Sequence, residues 1–549
     1  MKYWIIFFTT LTASFAKGQS LPIPTHSPFA NEIERSVILL RPEQIHSSVK
    51  PLQLNDALLL QTAKDSLNNF TKTEQHLSRN QASTLAALKT TDGSKSLRDK
   101  WLYTNPAYLY HHQGTEHFIT VNPLFQFDYG KSGNENLLQN NRGLEMNIGI
   151  DNKVFIYTSI LESQVGFPDF ITDRTERFRA IPGNGFYKNY SSKIFKINNG
   201  YDFNNAQGII SASISKHIGF QFGYGKNVIG DGIRSMFLSD YSNNYLHLKL
   251  NTRFWKFHYQ NIFGELQAQG SRDDIGDELI PRKYFSAHYL SFKPNKAWRF
   301  GLYETVVFSR RDHFDFAYMN PVILFRTVEG MLGSPDNVLL GLDVSWQPLN
   351  GLQFYGQCVL DEFIFKELFL ERRNWWGNKY ALQTGIKYLN AFGVNRLDLQ
   401  VEANAIRPYT YTHNDSTANY TNYNQPLAHP LGANLIEFIG TISYRPIPKL
   451  HIRAWGQKYA QGLDSNGLNY GENILTESDS RISEYNNNWL QGNRTNVNRL
   501  TLALDYEIWP QIYLNAQYTY RNQQQFGSKN TSFYTVGLLV NSWFRPQLL

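Results

Sequence analysis

Residues 500–524 read Leu500-Thr501-Leu502-Ala503-Leu504-Asp505-Tyr506-Glu507-Ile508-Trp509-Pro510-Gln511-Ile512-Tyr513-Leu514-Asn515-Ala516-Gln517-Tyr518-Thr519-Tyr520-Arg521-Asn522-Gln523-Gln524. Leu500, Leu502, Leu504 and Tyr506 alternate with Thr501, Ala503, Asp505 and Glu507. After a turn at Trp509-Pro510, Ile512, Leu514, Ala516, Tyr518 and Tyr520 alternate with Tyr513, Asn515, Gln517, Thr519 and Arg521. A last run sets Tyr534, Val536, Leu538, Val540 and Phe544 against Thr535, Gly537 and Asn541. A side-chain period of two is that of a strand with one apolar and one polar face. Each run also has the length that a tilted strand needs to cross a bilayer. A half-solvated sheet of a soluble protein would give the same single hairpin, so the rest of the chain decides.

Working outward, the same period holds from Phe118 onward. Leu144, Met146, Ile148 and Ile150 alternate with Glu145, Asn147 and Gly149, then Asp151-Asn152 turns the chain into Phe155, Tyr157 and Ser159. Further short turns are expected near Lys216-His217, Asn251-Thr252, Pro294-Asn295, Pro348-Leu349-Asn350, Asn390-Ala391 and Pro446-Ile447-Pro448, all in residues typical of hairpins. Between them lie long, irregular connections at 131–140, 166–206, 226–243, 267–281, 310–335, 361–378, 407–433, 461–496 and 522–530. Short and long links alternate through about eighteen strands, the signature of an outer-membrane barrel with short periplasmic turns and long outer loops. A soluble sandwich has no reason to gather its long loops at one end. Trp255, Trp298, Trp346, Trp509 and Trp543 fall near short turns or the terminal strand end, where an aromatic girdle sits. Closure also leaves no unpaired strand edge in hydrocarbon. The fold class expected is an all-β, antiparallel transmembrane barrel.

The first residues, Met1-Lys2-Tyr3, are followed by an apolar run from Trp4 to Ala16 and by small residues to Gly18. A charged start, an apolar core and small residues near a cut site describe a secretory signal peptide, expected over 1–18. No later apolar run approaches a spanning helix, and the mean hydropathy of −0.43 excludes a polytopic helical membrane protein. Cys358 is the only cysteine, so no intramolecular disulfide forms. The net charge of +7 has no basic run behind it, which speaks against nucleic-acid binding. Residues 19–116 read as a periplasmic helical plug or cap, with Leu59, Ala63, Leu67 and Phe70 on one stripe of a helix over Asp56–Leu88 and Asn55 or Asp56 as its cap. A plain spacer is the blander alternative. The barrel is expected over 117–549.

Enzyme chemistry is not legible. There is no His-Glu-x-x-His zinc motif and no Gly-x-Ser-x-Gly elbow, so no catalytic residue, metal or cofactor is expected. The run from Gly223 through Gly225 and Gly230 to Gly232 lacks the Lys-Ser/Thr ending of a phosphate loop and reads as a glycine-rich strand end. His111-His112 reads as a surface pair. Asp128, Asp343, Asp398 and Glu402 are expected to face a polar lumen. The loops hold the more specific signal: Trp375, Trp376, Tyr409, Tyr411, Tyr420 and Tyr423 concentrate rings beside Arg372, Arg373 and Arg407. Flat rings stack on sugar faces and guanidinium groups bond hydroxyls or acids. Trp375, Trp376, Arg407, Tyr409, Tyr411 and Tyr423 are therefore the candidate glycan-binding residues. Rings packing the loops into a lid would leave the same pattern.

Four stretches carry a family resemblance. They are Asp312-His313-Phe314-Asp315-Phe316-Ala317-Tyr318-Met319-Asn320-Pro321, Leu332-Gly333-Ser334-Pro335-Asp336-Asn337 through Gly341-Leu342-Asp343, Asn374-Trp375-Trp376-Gly377-Asn378-Lys379, and Tyr423-Asn424-Gln425-Pro426-Leu427-Ala428-His429-Pro430-Leu431-Gly432-Ala433-Asn434. Together they resemble the Wzi capsule-assembly family, and within it the branch of gliding bacteria described as the gliding motility protein RemB. The resemblance implies an eighteen-stranded outer-membrane barrel with N-terminal helices at the periplasmic end. It also implies loops that bind surface polysaccharide, with motility or secretion machinery as partners in the gliding branch. It carries over no site residue. Outer-membrane lipid is the partner implied by the barrel itself. The competing expectation is a porin or transport channel, since a barrel of this strand number encloses an aqueous pore unless something fills it.

Overall fold

The computed structural model describes residues 21–25, 27–65, 84–85, 88, 107–268, 270, 279–310 and 313–541. The signal peptide, Trp543, Phe544 and most of the expected 56–88 helix lie outside the described residues. Eighteen antiparallel strands close on themselves. They are β1 (His117–Ser132), β2 (Glu135–Ile150), β3 (Val154–Gly166), β4 (Ile197–Ser213), β5 (Ile218–Gly225), β6 (Tyr245–Phe254), β7 (Phe257–Gln267), β8 (Arg282–Phe292) and β9 (Trp298–Phe308). The second half comprises β10 (Asn337–Leu349), β11 (Leu352–Glu362), β12 (Lys379–Tyr388), β13 (Leu397–Ile406), β14 (Leu435–Ile447), β15 (Leu450–Leu463), β16 (Asn493–Trp509), β17 (Ile512–Gln524) and β18 (Ser528–Val540). Pairing of β18 with β1, Phe533 opposite Ser132 through Val540 opposite Phe125, completes the ring.

The alternation is inverted relative to a soluble protein. Leu500, Leu502, Leu504 and Tyr506 are 44–48% exposed, whereas Asp505 is 6% and Thr519 0% exposed. Apolar side chains point outward and polar ones inward, as a bilayer around a polar lumen requires. Trp255, Trp298, Trp346 and Trp509 are exposed near the short-turn end, with Trp298 and Trp346 stacked at 5.5 Å. Among the described residues no helix is long and apolar enough to cross a membrane.

Three expected turns or loops differ. Residues 131–140 form the tips of β1 and β2 around a two-residue turn at Gly133-Asn134, and 522–530 form the tips of β17 and β18. Their Asn, Gly and Gln content reads as loop, although their backbones pair as strands. Asn251-Thr252 lies inside β6, and the turn falls at Trp255-Lys256. Asn251 accepts a hydrogen bond from Gln260 at 2.5 Å in the lumen, a role its turn propensity does not announce.

The lumen is filled by the chain itself. From the short-turn end enters the N-terminal segment with helices α1 (Pro28–Leu40) and α2 (Leu54–Asp65). Ser27 caps α1 by accepting from the Ala30 N–H at 3.1 Å, with Pro28 at the first turn. Two long connections, 226–244 and 407–434, turn back inside the wall instead of projecting outward. Val49 and Lys50 pair as a short ladder with Ile229 and Val228, so the N-terminal segment and the first of these loops meet at mid-lumen.

Candidate functional site

The packed lumen is one half of the functional geometry. At its centre Arg299 of β9 bridges two carboxylates: its Nη2 donates to Asp231 at 2.5 Å, and its Nη1 donates to Asp343 and to the Tyr289 hydroxyl. Asp231 also accepts from Ser47 Oγ at 2.7 Å, and the Tyr289 and Ser48 hydroxyl oxygens are 2.9 Å apart. One guanidinium thus ties the wall, the 226–244 loop and the N-terminal segment together. Nearby, Arg234 donates to Glu437 at 3.1 and 3.3 Å, and Glu402 accepts the Ile233 and Arg234 backbone N–H groups. Asp128, Asp343, Asp398 and Glu402 all face inward and hydrogen-bond to neighbours, Asp398 with Arg35 of α1 at 2.9 Å.

The 226–244 loop sits against the wall only because of two glycines. Gly230 has φ +139°, and a Cβ on Gly232 would lie 2.6 Å from the Arg234 carbonyl oxygen. The glycine-rich run therefore has a packing function. Above it, Phe237 stacks on Tyr303 at 4.7 Å, and Tyr411 donates to the Met236 carbonyl at 2.8 Å. Many inward polar side chains, among them Asn141, Ser211, Gln221, Lys249, Gln357 and Glu437, are less than 5% exposed.

At the short-turn end Glu32 of α1 accepts two bonds from Arg396, each 2.7 Å, and Lys50 pairs with Glu34 at 2.7 Å. Burial would raise the Glu32 carboxyl, but the Arg396 and Arg445 charges bring it down to about 2.

The other half is the long-loop end of the barrel, where two loops interlock. The carbonyls of Arg373 and Asn374 accept from the N–H groups of Asn486 and Asn487 at 3.0 Å, and the Trp376 N–H donates to the Glu484 carbonyl at 2.9 Å. Trp375 and Trp376, half-buried, are 5.9 Å apart. Arg481 lies 4.1 Å from the centre of the Trp376 ring, and Arg373 the same distance from Tyr485. The Glu484 carboxylate takes hydrogen bonds from Arg481 and from both indole N–H groups, which holds its pKa below the ordinary value.

The expected residues divide into two groups. Arg407 joins the tryptophans: buried, it donates to the carbonyls of Asn487 at 3.0 Å, Asn378 at 3.3 Å and Trp375 at 3.5 Å. Tyr409 is edge-on to Trp376 at 6.3 Å and donates to the Asn469 carbonyl at 2.8 Å. Tyr411 and Tyr420 stack in the lumen instead, and Tyr423 packs at the Gln267 end of β7. Tyr409, Tyr411 and Tyr423 are at most 6% exposed and all have φ between 50° and 74°, a backbone that only tight surroundings impose on tyrosine. Arg481, Glu484, Tyr485 and Trp489 were not anticipated. They lie in a long loop without periodicity, and only its length pointed to them. Among the described residues no group of three or more His, Cys, Asp or Glu is placed to hold a metal.

Comparison with known proteins agrees with this architecture. No curated protein matches the chain. Among solved structures it is similar to Wzi of Escherichia coli, described as an outer-membrane protein involved in group 1 capsule assembly and a carbohydrate-binding β-barrel. Identity there is 13%, with a TM-score of 0.56 over 96% of this chain and 100% of that one. OprD of Pseudomonas aeruginosa matches at 10% identity and a TM-score of 0.40, covering 78% of this chain and 96% of that one. At 13% identity the likeness to Wzi is one of fold. Residues 186–536 match the sequence profile of a family described as capsule assembly protein Wzi. Profile and closed barrel agree: the chain is an outer-membrane β-barrel that belongs to the capsule assembly protein Wzi family.

Proposed function

We propose that this protein binds surface polysaccharide at the outer end of a sealed barrel and so takes part in capsule assembly, without a catalytic step. The observation that carries the reading is the pairing of a filled lumen with an outward array of rings and guanidinium groups. A barrel plugged from both ends is unsuited to passive transport, which counts against a porin. Trp375 and Trp376 supply the stacking faces in this reading, with Arg373 and Arg481 as donors to hydroxyl or acidic groups. Arg407 and Tyr409 hold those indoles in place, while Tyr411 and Tyr423 stiffen the loops from below. Residues 19–116 act as the periplasmic cap, secured through Glu32, Arg35 and Lys50.

Titration of purified protein with polysaccharide from the producing cells tests this directly. Trp376→Ala should weaken binding about tenfold or more, the loss expected when a central aromatic anchor is removed. An intact protein with no affinity for that polysaccharide would overturn the proposal. Within the family, the four stretches Asp312–Pro321, Leu332–Asp343, Asn374–Lys379 and Tyr423–Asn434 together resemble the RemB-like gliding branch, and on that resemblance we extend the role to surface motility with gliding or secretion components as partners. A deletion strain that still glides at the normal rate would remove that extension and leave the capsule role standing.

A further inference from the structure

The outward face of β7, β8 and β9 breaks the pattern of the rest of the wall. Toward the short-turn end of β9, Phe300 and Leu302 are 43% and 56% exposed. Farther along, Glu304, Val306 and Phe308 have the same parity and so point the same way, yet they are 5%, 0% and 0% exposed. His288 and Ser286, beside them on β8, are likewise buried. Something covers this part of the outer wall.

The cover is the connection between β9 and β10, described over residues 313–336. Its helix α3 (Phe325–Leu332) sets the Phe325 ring 4.0 Å from that of His288, and Tyr318 lies 4.8 Å from Phe308. The Pro321 carbonyl accepts from the Tyr259 hydroxyl at 2.5 Å and from Asn261 at 3.3 Å, so the loop reaches mid-strand on β7. Its base is fixed by Asp336, which accepts from both Nη atoms of Arg310, at 2.8 and 2.5 Å, and from Tyr318 at 2.6 Å. This connection does not stand above the barrel mouth but lies flat against the outside of the wall.

Its own exposed surface is rich in apolar side chains, with Phe316 77%, Val322 81%, Leu324 62% and Met331 77% exposed, beside Arg326, which pairs with Glu329 and is 74% exposed along its side chain. Several of its backbone N–H groups are paired within the loop. Asn320 accepts from the Val322 and Ile323 N–H groups at 3.0 and 3.3 Å, Asp315 from Ala317 at 3.1 Å, and the Gly333 N–H closes on Glu329 at 2.9 Å. Polar backbone groups at membrane depth must be paired within the protein, and these bonds pair part of the backbone of this connection.

We propose that residues 313–336 form a lateral flap seated in the outer leaflet, with acyl chains of outer-leaflet lipid as the occupant of its apolar face. Lipid is the occupant because that face continues the lipid-facing wall at Leu302, Leu340 and Leu342, which are 41–56% exposed. The flap also shields His288, Glu304 and Asn261, which would otherwise present polar atoms to hydrocarbon. The flap contains the His313–Pro321 motif and runs into the Leu332–Asn337 motif, neither of which is used at the polysaccharide end.

Spin labelling of the full-length protein in lipid vesicles tests the flap. With Cys358 replaced by serine, single cysteines are placed at Val322 and, separately, at Met331. Leu342→Cys marks the lipid-facing wall and Asp479→Cys the outer loops, where its side chain is 67% exposed. The ratio of oxygen to nickel-complex collision rates should match that at position 342 for both flap positions. A ratio matching position 479 would place the flap in water and overturn the proposal. Shielding from both reagents would make the occupant a protein, such as a second copy, and would equally overturn it. Two flap positions guard against one variant failing to fold.

Discussion

Replacing Arg299 by methionine tests how the lumen is kept shut. Arg299 is 4% exposed and neutralises Asp231 and Asp343, which are 3% and 1% exposed. Its removal leaves two buried carboxylates facing one another, with Ser47, Tyr289 and Gln357 as their remaining donors. Breaking a buried ion pair from one side costs about 3–5 kcal/mol. The strain falls on the closed arrangement, because a withdrawn 226–244 loop returns Asp231 to water. At about 1.4 kcal/mol per tenfold, the open population should rise between roughly a hundredfold and a few thousandfold. In planar bilayers the wild type should be almost silent, and Arg299→Met should open brief conducting events more often by that factor. The triple variant Arg299→Met, Asp231→Asn, Asp343→Asn carries no unpaired charge and should return most of the way to silence. Unchanged conductance from a folded Arg299→Met barrel would refute the idea that this hub holds the plug. Equal conductance from the single and triple variants would refute the electrostatic account of it.

Two further outcomes are expected. Glu32 titrates near 2 in the folded protein against an ordinary value of 4.5, so its pairing contributes about 3 kcal/mol of stability. Because the folded pKa is the lower one, that contribution is complete above pH 4.5 and is lost as pH falls toward 2. Hydrogen exchange across α1 should accelerate over that window, and Glu32→Gln should flatten the dependence. At the lipid face, Leu502→Arg should destabilise the barrel by about 2–4 kcal/mol in vesicle refolding titrations if that position lies near the bilayer midplane. Little or no loss there would mean that the 500–506 face does not meet hydrocarbon.

The wall was legible because a membrane barrel imposes two opposite demands on alternate residues. Leu500, Leu502 and Leu504 must suit lipid while Thr501 and Asp505 must suit the lumen, and that conflict is written as a period of two. Where Asn, Gly and Gln crowd the strand, that signal fades: the tips of β1, β2, β17 and β18 passed for loops. Helix α1 went unread although Ser27-Pro28 is a start signal, because Glu32 and Arg35 look solvent-facing until Arg396 and Asp398 are seen opposite them. The outer loops posed a different difficulty. Residues 407–434 and 372–378 both carry several rings, yet the former re-enters the barrel and the latter stays at its rim. Composition records what a loop can pack against, not the direction in which it leaves the strand. The flap is the same lesson reversed: Phe316, Val322 and Met331 are apolar for an environment outside the protein.

The contacts that hold the N-terminal segment have a consequence for how the chain is made. Arg35 waits for Asp398 across 363 residues of sequence, and Glu32 waits for Arg396 across 364. Contacts so remote form late, since the intervening chain must first be brought to order. The segment that emerges first from synthesis is therefore among the last to find its partners. Its charged side chains keep it hydrated in the interval, when a segment built of apolar residues would be prone to aggregate. The same charges that look costly inside the finished barrel act, before it exists, as the segment's protection against premature association.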